Sequence, residues 1–156
     1  MAQEQILNSH NKQEFPPMHT AEHLLNGTMV KMIGCKRSRN AHIERKKSKC
    51  DYPLPQPLTD DQLQEIEVTI NNIISQDLPV TFEYLSASEA SKSYDLERLP
   101  DDASETLRIV HIGNYDACPC VGAHVKSTRE IGQFRISSAR YQDGVQRIVF
   151  RLDPPQ

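Results

Sequence analysis

Tryptophan is absent from this chain of 156 residues, and phenylalanine and tyrosine together make up only 6% of it. Proteins that bind single-stranded nucleic acid without base preference stack successive bases on aromatic side chains. The shortage of aromatic residues therefore argues against a nucleic-acid-binding surface that is built as an aromatic stacking platform.

Long hydrophobic runs are also absent. No apolar stretch approaches the ~20 residues that span a bilayer, and residues 1–15 lack the basic region and apolar stretch of a signal peptide. We therefore expect a soluble cytoplasmic protein with no membrane partner. Its four cysteines are then expected to be reduced thiols or metal ligands. The net charge of −3 gives no global signature of polyanion binding.

Two stretches have the periodicity of helices that bury one face. In the first, apolar residues recur at helical spacing between Pro16, a residue favoured at helix starts, and Gly34. The second opens with a capping box formed by Thr59 and Gln62 and closes at Pro79. These two segments are predicted to be the main helices.

The last third of the chain is rich in predicted strands, and Asp143-Gly144 is a strong hairpin-turn signal. We expect an α+β fold, with one antiparallel sheet packed with the two main helices in a single domain over residues 16–156. Residues 1–15 are expected to be a polar segment on the surface, and residues 95–105 an acidic loop. The strand candidates are residues 50–52, residues 80–85, Leu107–Ile112, Gln133–Tyr141 and Val145–Leu152.

Two short segments, HTAEH and CVGAH, each place two metal-binding side chains four residues apart. On a helix, His19 and His23 lie on the same face, one turn apart. With Cys120 and His124 they make a set of three imidazoles and one thiolate, which suits tetrahedral zinc. Because about 100 residues separate the halves, the fold must bring them together, and we expect a site built into the core.

Two other residues, Cys118 and Glu22, leave alternatives at this site. Cys118 lies two residues before Cys120, across Pro119, and is the alternative sulfur ligand; Cys120 is preferred for its spacing to His124. His19-Thr-Ala-Glu22-His23 also matches the inverted zincin peptidase pattern, with the glutamate as general base. That short pattern occurs often by chance, so Glu22 is expected to be a solvated helix residue.

A basic window follows the first predicted helix in a chain that is acidic overall. Seven of the 18 lysines and arginines fall within it. Such a run is either solvated surface or a phosphate-binding patch beside the metal site. Its residues are Lys36, Arg37, Arg39, Arg45, Lys46, Lys47 and Lys49.

The order HTAEHLL, then CVGAHV, then STREIGQFRI resembles the editing domain of alanyl-tRNA synthetases and, more closely, the freestanding alanyl-tRNA editing proteins called AlaX. The editing domain of threonyl-tRNA synthetase shares the same plan. The likeness covers about Met18–Leu152 and implies a tRNA-editing domain over residues 16–156. It also implies that His19, His23, Cys120 and His124 bind zinc.

This resemblance implies hydrolysis of the ester that joins a wrong amino acid, serine or also glycine, to the 3′ end of the alanine tRNA. The expected partner is a mischarged aminoacyl-tRNA, bound by the seven basic residues of the window. A chain too short for an aminoacylation domain is expected to act as a freestanding editor without ATP. Its oligomeric state is left open.

Specificity and chemistry are less defined, because Cys120-Val-Gly-Ala-His124 departs from the family pattern C-G-G-T-H. Asn40 and His42 are the candidates for reading the serine hydroxyl, and His42 and His111 are candidate general bases. The alternatives are a non-catalytic, zinc-stabilised tRNA- or protein-binding module, and a threonyl-type editing domain.

Overall fold

A computed structural model describes residues 15–94 and 106–154, so the expected N-terminal segment and the acidic loop at 95–105 lie outside the described residues, apart from Phe15. A short 3₁₀ turn at Thr128–Ile131 accompanies the regular elements. These are α1 (Pro16–Met32), β1 (Asn40–His42), β2 (Ser48–Pro53), α2 (Asp60–Ser75), β3 (Val80–Ser86), α3 (Ala87–Ala90), β4 (Thr106–Ile112), β5 (Asp116–Pro119), β6 (Gln133–Gln142) and β7 (Val145–Asp153).

Helix α1 is the central element of the fold. Proline occupies its first two positions, and the chain leaves it through Gly34, whose φ of 84° suits a residue without a Cβ atom. Ten consecutive residues, from Thr20 to Met29, are buried, so the helix is enclosed on nearly all sides. Polar side chains of α1 therefore lie in the interior, where each needs a partner.

Helix α2 has the predicted capping box, in which the Thr59 side chain accepts a hydrogen bond from the backbone of Gln62 and the Gln62 side chain accepts one from the backbone of Thr59. It buries a stripe made of Ile66, Ile70 and Ile74. The helix ends at Ser75, before Pro79, because Asp77 already takes a left-handed backbone with a φ of 53°.

The strands form two antiparallel sheets, whereas one sheet was expected. One has the order β1-β2-β7-β6 and the other the order β3-β4-β5. Strands β1 and β5 are too short to show a period in the sequence and were not predicted. Asp143 and Gly144 join β6 to β7 with φ values of 53° and 79°, which is the backbone of the predicted hairpin turn.

One hydrophobic core connects the helices with both sheets. It includes Leu25 of α1, Ile70 of α2, Val110 of β4 and Phe150 of β7. A smaller cluster lies under α3, on the other face of the three-stranded sheet. The expected α+β class and single domain are confirmed. Among the described residues, no helix has the length and hydropathy required to cross a membrane.

Candidate metal centre

Four side chains from the two short motifs converge beside α1. His19 and His23 lie one turn apart on the helix, while Cys120 and His124 come from the loop that follows β5. One nitrogen or sulfur atom from each lies within 4.8 Å of the corresponding atom of the other three. The fold therefore assembles, from segments about 100 residues apart, a group that could hold a metal ion.

The orientation of the His19 ring is set by a backbone contact on the side away from Cys120. Its Nδ1 lies 3.1 Å from the carbonyl oxygen of Ala123, to which it can donate a hydrogen bond. Its Nε2 then points toward Cys120, whose Sγ lies 3.3 Å away. Ligand atoms around a tetrahedral zinc lie roughly 3–4 Å apart, so this separation suits two ligands of one ion.

His124 has a buried nitrogen without a partner. Its Nδ1 is 2.9 Å from Oγ1 of Thr20, which also accepts a hydrogen bond from the backbone N–H of Val125. Its Nε2 is fully buried and has no hydrogen-bond partner in the described part of the chain. Leaving such an atom unpaired costs free energy, and a metal ion would satisfy it.

The electrostatics keep His124 neutral, as a metal ligand must be. Burial, together with the nearby His19 and Arg108, lowers the pKa of His124 to about 2. For Cys120, burial raises the pKa of the thiol, but hydrogen bonding to His19, the His19 charge and the Gly122 backbone outweigh burial and lower it. Both shifts favour the protonation states that bind zinc.

Arg108 of β4 holds the loop that carries the two downstream ligands, and no sequence motif pointed to this role. Its Nε donates to the carbonyl oxygen of Cys120 at 2.8 Å, and its Nη2 donates to the carbonyl oxygen of Gly122. The guanidinium also lies 4.5 Å from the centre of the Phe82 ring. Arg108 therefore links the ligand loop to the three-stranded sheet.

Cys118, the alternative sulfur ligand, contacts a different atom of the group. Its buried Sγ lies 3.4 Å from Nδ1 of His23, and the Asp116 carboxylate lies 3.9 Å from the same nitrogen. These three residues form a second cluster of potential ligand atoms. Asp116, however, is already paired with Arg37 through two hydrogen bonds of 2.7 and 3.1 Å. Cys120 as the metal ligand stays a prediction, supported by its contact with His19.

The Glu22 side chain is buried, whereas it was expected to be exposed to solvent. It is only 5% exposed, so the prediction of a solvated helix residue was wrong, because α1 is enclosed almost all round. Its Oε1 lies 3.8 Å from Nε2 of His19, and Nδ2 of Asn26 donates to its Oε2 at 3.5 Å. The site therefore has a buried carboxylate beside the metal-binding atoms.

The three candidate catalytic residues lie outside the four-residue group. Asn40 donates to the Asp51 carboxylate at 2.9 Å in the four-stranded sheet. His42, at the end of β1, is exposed and 2.8 Å from Glu44. His111 projects from the opposite face of the three-stranded sheet from Cys118, 2.8 Å from Glu83. A catalytic role for any of them stays a prediction.

The basic window separates into different environments. Arg37 is largely buried in its pair with Asp116, so its guanidinium serves the fold. Lys36 lines a cavity of about 590 Å³ that also borders Cys118. Lys47 and Lys49, in contrast, line a groove of about 480 Å³ on the four-stranded sheet.

Three arginines of the last hairpin also line this groove and were not among the predicted tRNA-binding residues. Arg140, Arg147 and Arg151 lie on β6 and β7. The signal was available, since Arg147 and Arg151 share the outward-facing positions of β7 with Val149 while the residues between them are buried. Arg147 is paired with Asp51 at 2.8 and 3.0 Å.

Residues 107–149 match the family described as the second additional domain of threonyl and alanyl tRNA synthetases. The chain is 37% identical over 133 residues to an alanine–tRNA ligase of Petrotoga mobilis, a match that covers 83% of the chain and 15% of the ligase. It is 33% identical over 132 residues to that of Fervidobacterium nodosum, with the same two coverages. It is 32% identical over 152 residues to that of Staphylothermus marinus, which covers 94% of the chain and 17% of the ligase.

Proposed function

Because the chain belongs to the family of second additional domains of threonyl and alanyl tRNA synthetases, we propose that it is a zinc-dependent aminoacyl-tRNA deacylase. Its proposed substrate is a tRNA for alanine that carries serine, with glycine as a second mischarged amino acid. The observation that carries this proposal is the group His19, His23, Cys120 and His124, placed beside a buried carboxylate.

These four side chains are the proposed zinc ligands. The set of three imidazoles and one thiolate, the unpaired buried Nε2 of His124 and the lowered pKa of Cys120 all suit that ion. When bound, zinc supplies a Lewis acid that can hold water or the amino group of the substrate next to the ester carbonyl.

The protein groups around the ion divide the remaining tasks. The carbonyl oxygen of Ala123 and the hydroxyl of Thr20 hold the His19 and His124 rings in one orientation. Glu22, whose Oε1 is 3.8 Å from His19 Nε2, is placed to accept a hydrogen bond from the attacking water. The N–H of Cys120 already donates to the carbonyl oxygen of Arg108, so the backbone N–H groups that follow it in the loop are the donors we propose for the oxyanion that forms at the ester carbon.

Binding of the tRNA backbone is assigned to the basic side chains on the four-stranded sheet. Lys47, Lys49, Arg140 and Arg151 share one groove, and clustered cations of this kind bind phosphates by displacing condensed counterions. Arg39, Arg45 and Lys46 come from the same sequence window, and we propose that they extend this surface. Lys36 lines the separate cavity that borders Cys118, and we propose that it contacts a phosphate there. Arg37 is left out of the proposed surface because of its pair with Asp116.

A second function, in which a closed zinc site only stabilises a tRNA-binding module, is favoured by one observation. Four protein ligands fill the coordination of zinc, and such closed sites are usually structural. Serine release from seryl-tRNA by the purified, zinc-loaded protein distinguishes the two functions. Release well above the spontaneous rate supports the deacylase, and binding without release supports the module.

A further inference from the structure

Strand β3 presents two large aromatic side chains to solvent. Phe82 is 45% exposed and Tyr84 is 66% exposed, and both lie on the edge strand of the three-stranded sheet. Single exposed hydrophobic side chains are common on soluble proteins, whereas contiguous exposed apolar surface marks a binding site. We call Phe82 and Tyr84 the aromatic ledge.

The strand register places the ledge on the same face of the sheet as the candidate metal centre. Tyr84 pairs with Arg108, and the carbonyl of Arg108 accepts a hydrogen bond of 3.1 Å from the N–H of Cys120. Two residues away, Phe82 pairs with Val110, which pairs with Cys118. Residues that pair directly across antiparallel strands point to the same face.

The spacing between the ledge and the metal centre matches the size of a nucleoside. Neighbouring strands lie about 4.8 Å apart, so the β3 backbone lies roughly 10 Å from that of Cys120. Arg108 fills the interval, with its guanidinium 4.5 Å from the centre of the Phe82 ring. Val121, 60% exposed, adds an apolar side chain at the ligand loop.

We propose that the aromatic ledge stacks the unpaired base at the 3′ end of the tRNA while the ester of the same nucleotide lies at the metal centre. This rests on the proposed deacylase function and adds a subsite to it. Unpaired bases are recognised by stacking on aromatic side chains and on arginine planes, and the ledge offers both. Two aromatic residues suffice for one base, so the low aromatic content does not oppose this.

A second protein chain is the less suitable occupant. Stable protein interfaces bury about 800 Å² on each partner, far more than two aromatic side chains and one valine supply. The guanidinium of Arg108 also places a positive charge beside the two aromatic rings. A nucleotide suits this arrangement, because its base can stack and its phosphate can pair with the charge.

The test uses a deacylated RNA hairpin with the alanine acceptor stem and 2-aminopurine as its 3′-terminal base. The emission of this adenine analogue falls when it stacks, so binding to the intact protein should quench it. Tyr84→Leu and Phe82→Leu should each weaken hairpin binding by roughly fivefold to a hundredfold, as loss of one base–aromatic stack does, and reduce the quench. Tyr84→Phe should restore both, and Val68→Ala, at another exposed apolar position, should change neither.

The outcomes separate the subsite from the deacylase. Quenching that is unchanged in Tyr84→Leu and Phe82→Leu would overturn the subsite, even if the protein releases serine from seryl-tRNA. Suppose that the wild type quenches the emission, that the two leucine variants do not, and that the wild type releases no serine from seryl-tRNA. This result would support the base-stacking subsite and contradict the deacylase function. A change in oligomeric state with the quench retained would assign the ledge to self-association and overturn the proposal.

Discussion

At the scale of single residues, the contacts of the ring nitrogens of His19 and His124 define the site. His19 has one nitrogen against a backbone carbonyl and the other against Cys120, and His124 has one against Thr20 and one with no partner in the described chain. Second partners of this kind fix the tautomer of a metal-binding histidine. The proposal that these residues bind zinc rests on this arrangement.

Removing the proposed ligands should remove the metal. We expect about one zinc per chain in the wild type, and much less in His124→Ala or Cys120→Ala, measured by elemental analysis after dialysis. Cys118→Ala should keep its zinc, because Cys120, and not Cys118, lies against His19 and shares the four-residue spacing with His124. Loss of zinc in Cys118→Ala with retention in Cys120→Ala would show that Cys118 is the sulfur ligand.

Asp51 should make stability depend on pH. Hydrogen bonding to Arg147 lowers the pKa of Asp51, against the opposing effect of burial. A carboxyl group with a lowered folded pKa stabilises the fold above its unfolded pKa of about 3.9, and that stabilisation is lost as the pH falls through the folded pKa. Asp51→Asn should therefore have a lower urea midpoint than the wild type at pH 7, with the gap closing below about pH 4.

A matched control for this measurement is Asp143→Asn, which removes the same charge in the exposed turn between β6 and β7. It should shift the midpoint little at either pH. If Asp51→Asn kept the same deficit at pH 3 as at pH 7, the ion pair with Arg147 would not be its cause.

At the scale of elements, the close contact between α1 and β5 depends on one glycine. A Cβ atom at Gly27 would lie 2.7 Å from Oδ1 of Asp116, the residue that pairs with Arg37. Alanine normally stabilises a helix interior by about 1 kcal/mol relative to glycine. Here Gly27→Ala should instead destabilise the protein by about 1–3 kcal/mol, through overpacking, in urea unfolding.

A double-mutant cycle isolates that contact. In an Asp116→Ser background the shorter side chain leaves room, so Gly27→Ala should be neutral or stabilising there. The same cost in both backgrounds would mean that the carboxylate is not what the new methyl group meets.

The elements that could be predicted are those whose local signals agree with their surroundings. The capping box at Thr59, the hairpin turn at Asp143 and the helical histidine pair needed no tertiary information. Strand β5 could not be predicted, because its four residues show no period and its place is set by pairing with β4. The burial of Glu22 could not be predicted either, because it results from tertiary packing on every side of α1, which the local sequence does not show.

At the scale of the whole molecule, the fold gathers charges that the sequence separates. Lys47 and Lys49 come from the predicted basic window, while Arg140 and Arg151 come from the final hairpin, and all four line one groove. The window alone therefore described only part of the surface that we propose for tRNA.

Both parts of that surface should contribute to the salt dependence of tRNA binding. Replacing Arg45, Lys46 and Lys47 by glutamine, or Lys49, Arg140 and Arg151 by glutamine, should weaken binding and flatten the log–log salt dependence by roughly 0.7–0.9 per lost phosphate contact. Serine release at saturating tRNA should survive in both. A triple variant at Lys92, Lys126 and Arg129, which do not line the groove, controls for net charge. An equal loss in that control would assign the effect to overall charge.

The most direct test of the deacylase is the single-turnover release of serine from seryl-tRNA charged on the alanine tRNA. Zinc-loaded wild type should release serine far faster than the spontaneous rate and faster than it releases alanine from alanyl-tRNA. That preference should fall below the ~10⁴–10⁵ of sites that hydrogen-bond a substrate hydroxyl, because Val121 and Ala123 depart from the family pattern. Cys120→Ala, folded but without metal, should release serine at close to the spontaneous rate. A folded, zinc-loaded wild type that binds the tRNA and releases no serine would contradict the deacylase and leave a zinc-stabilised binding module.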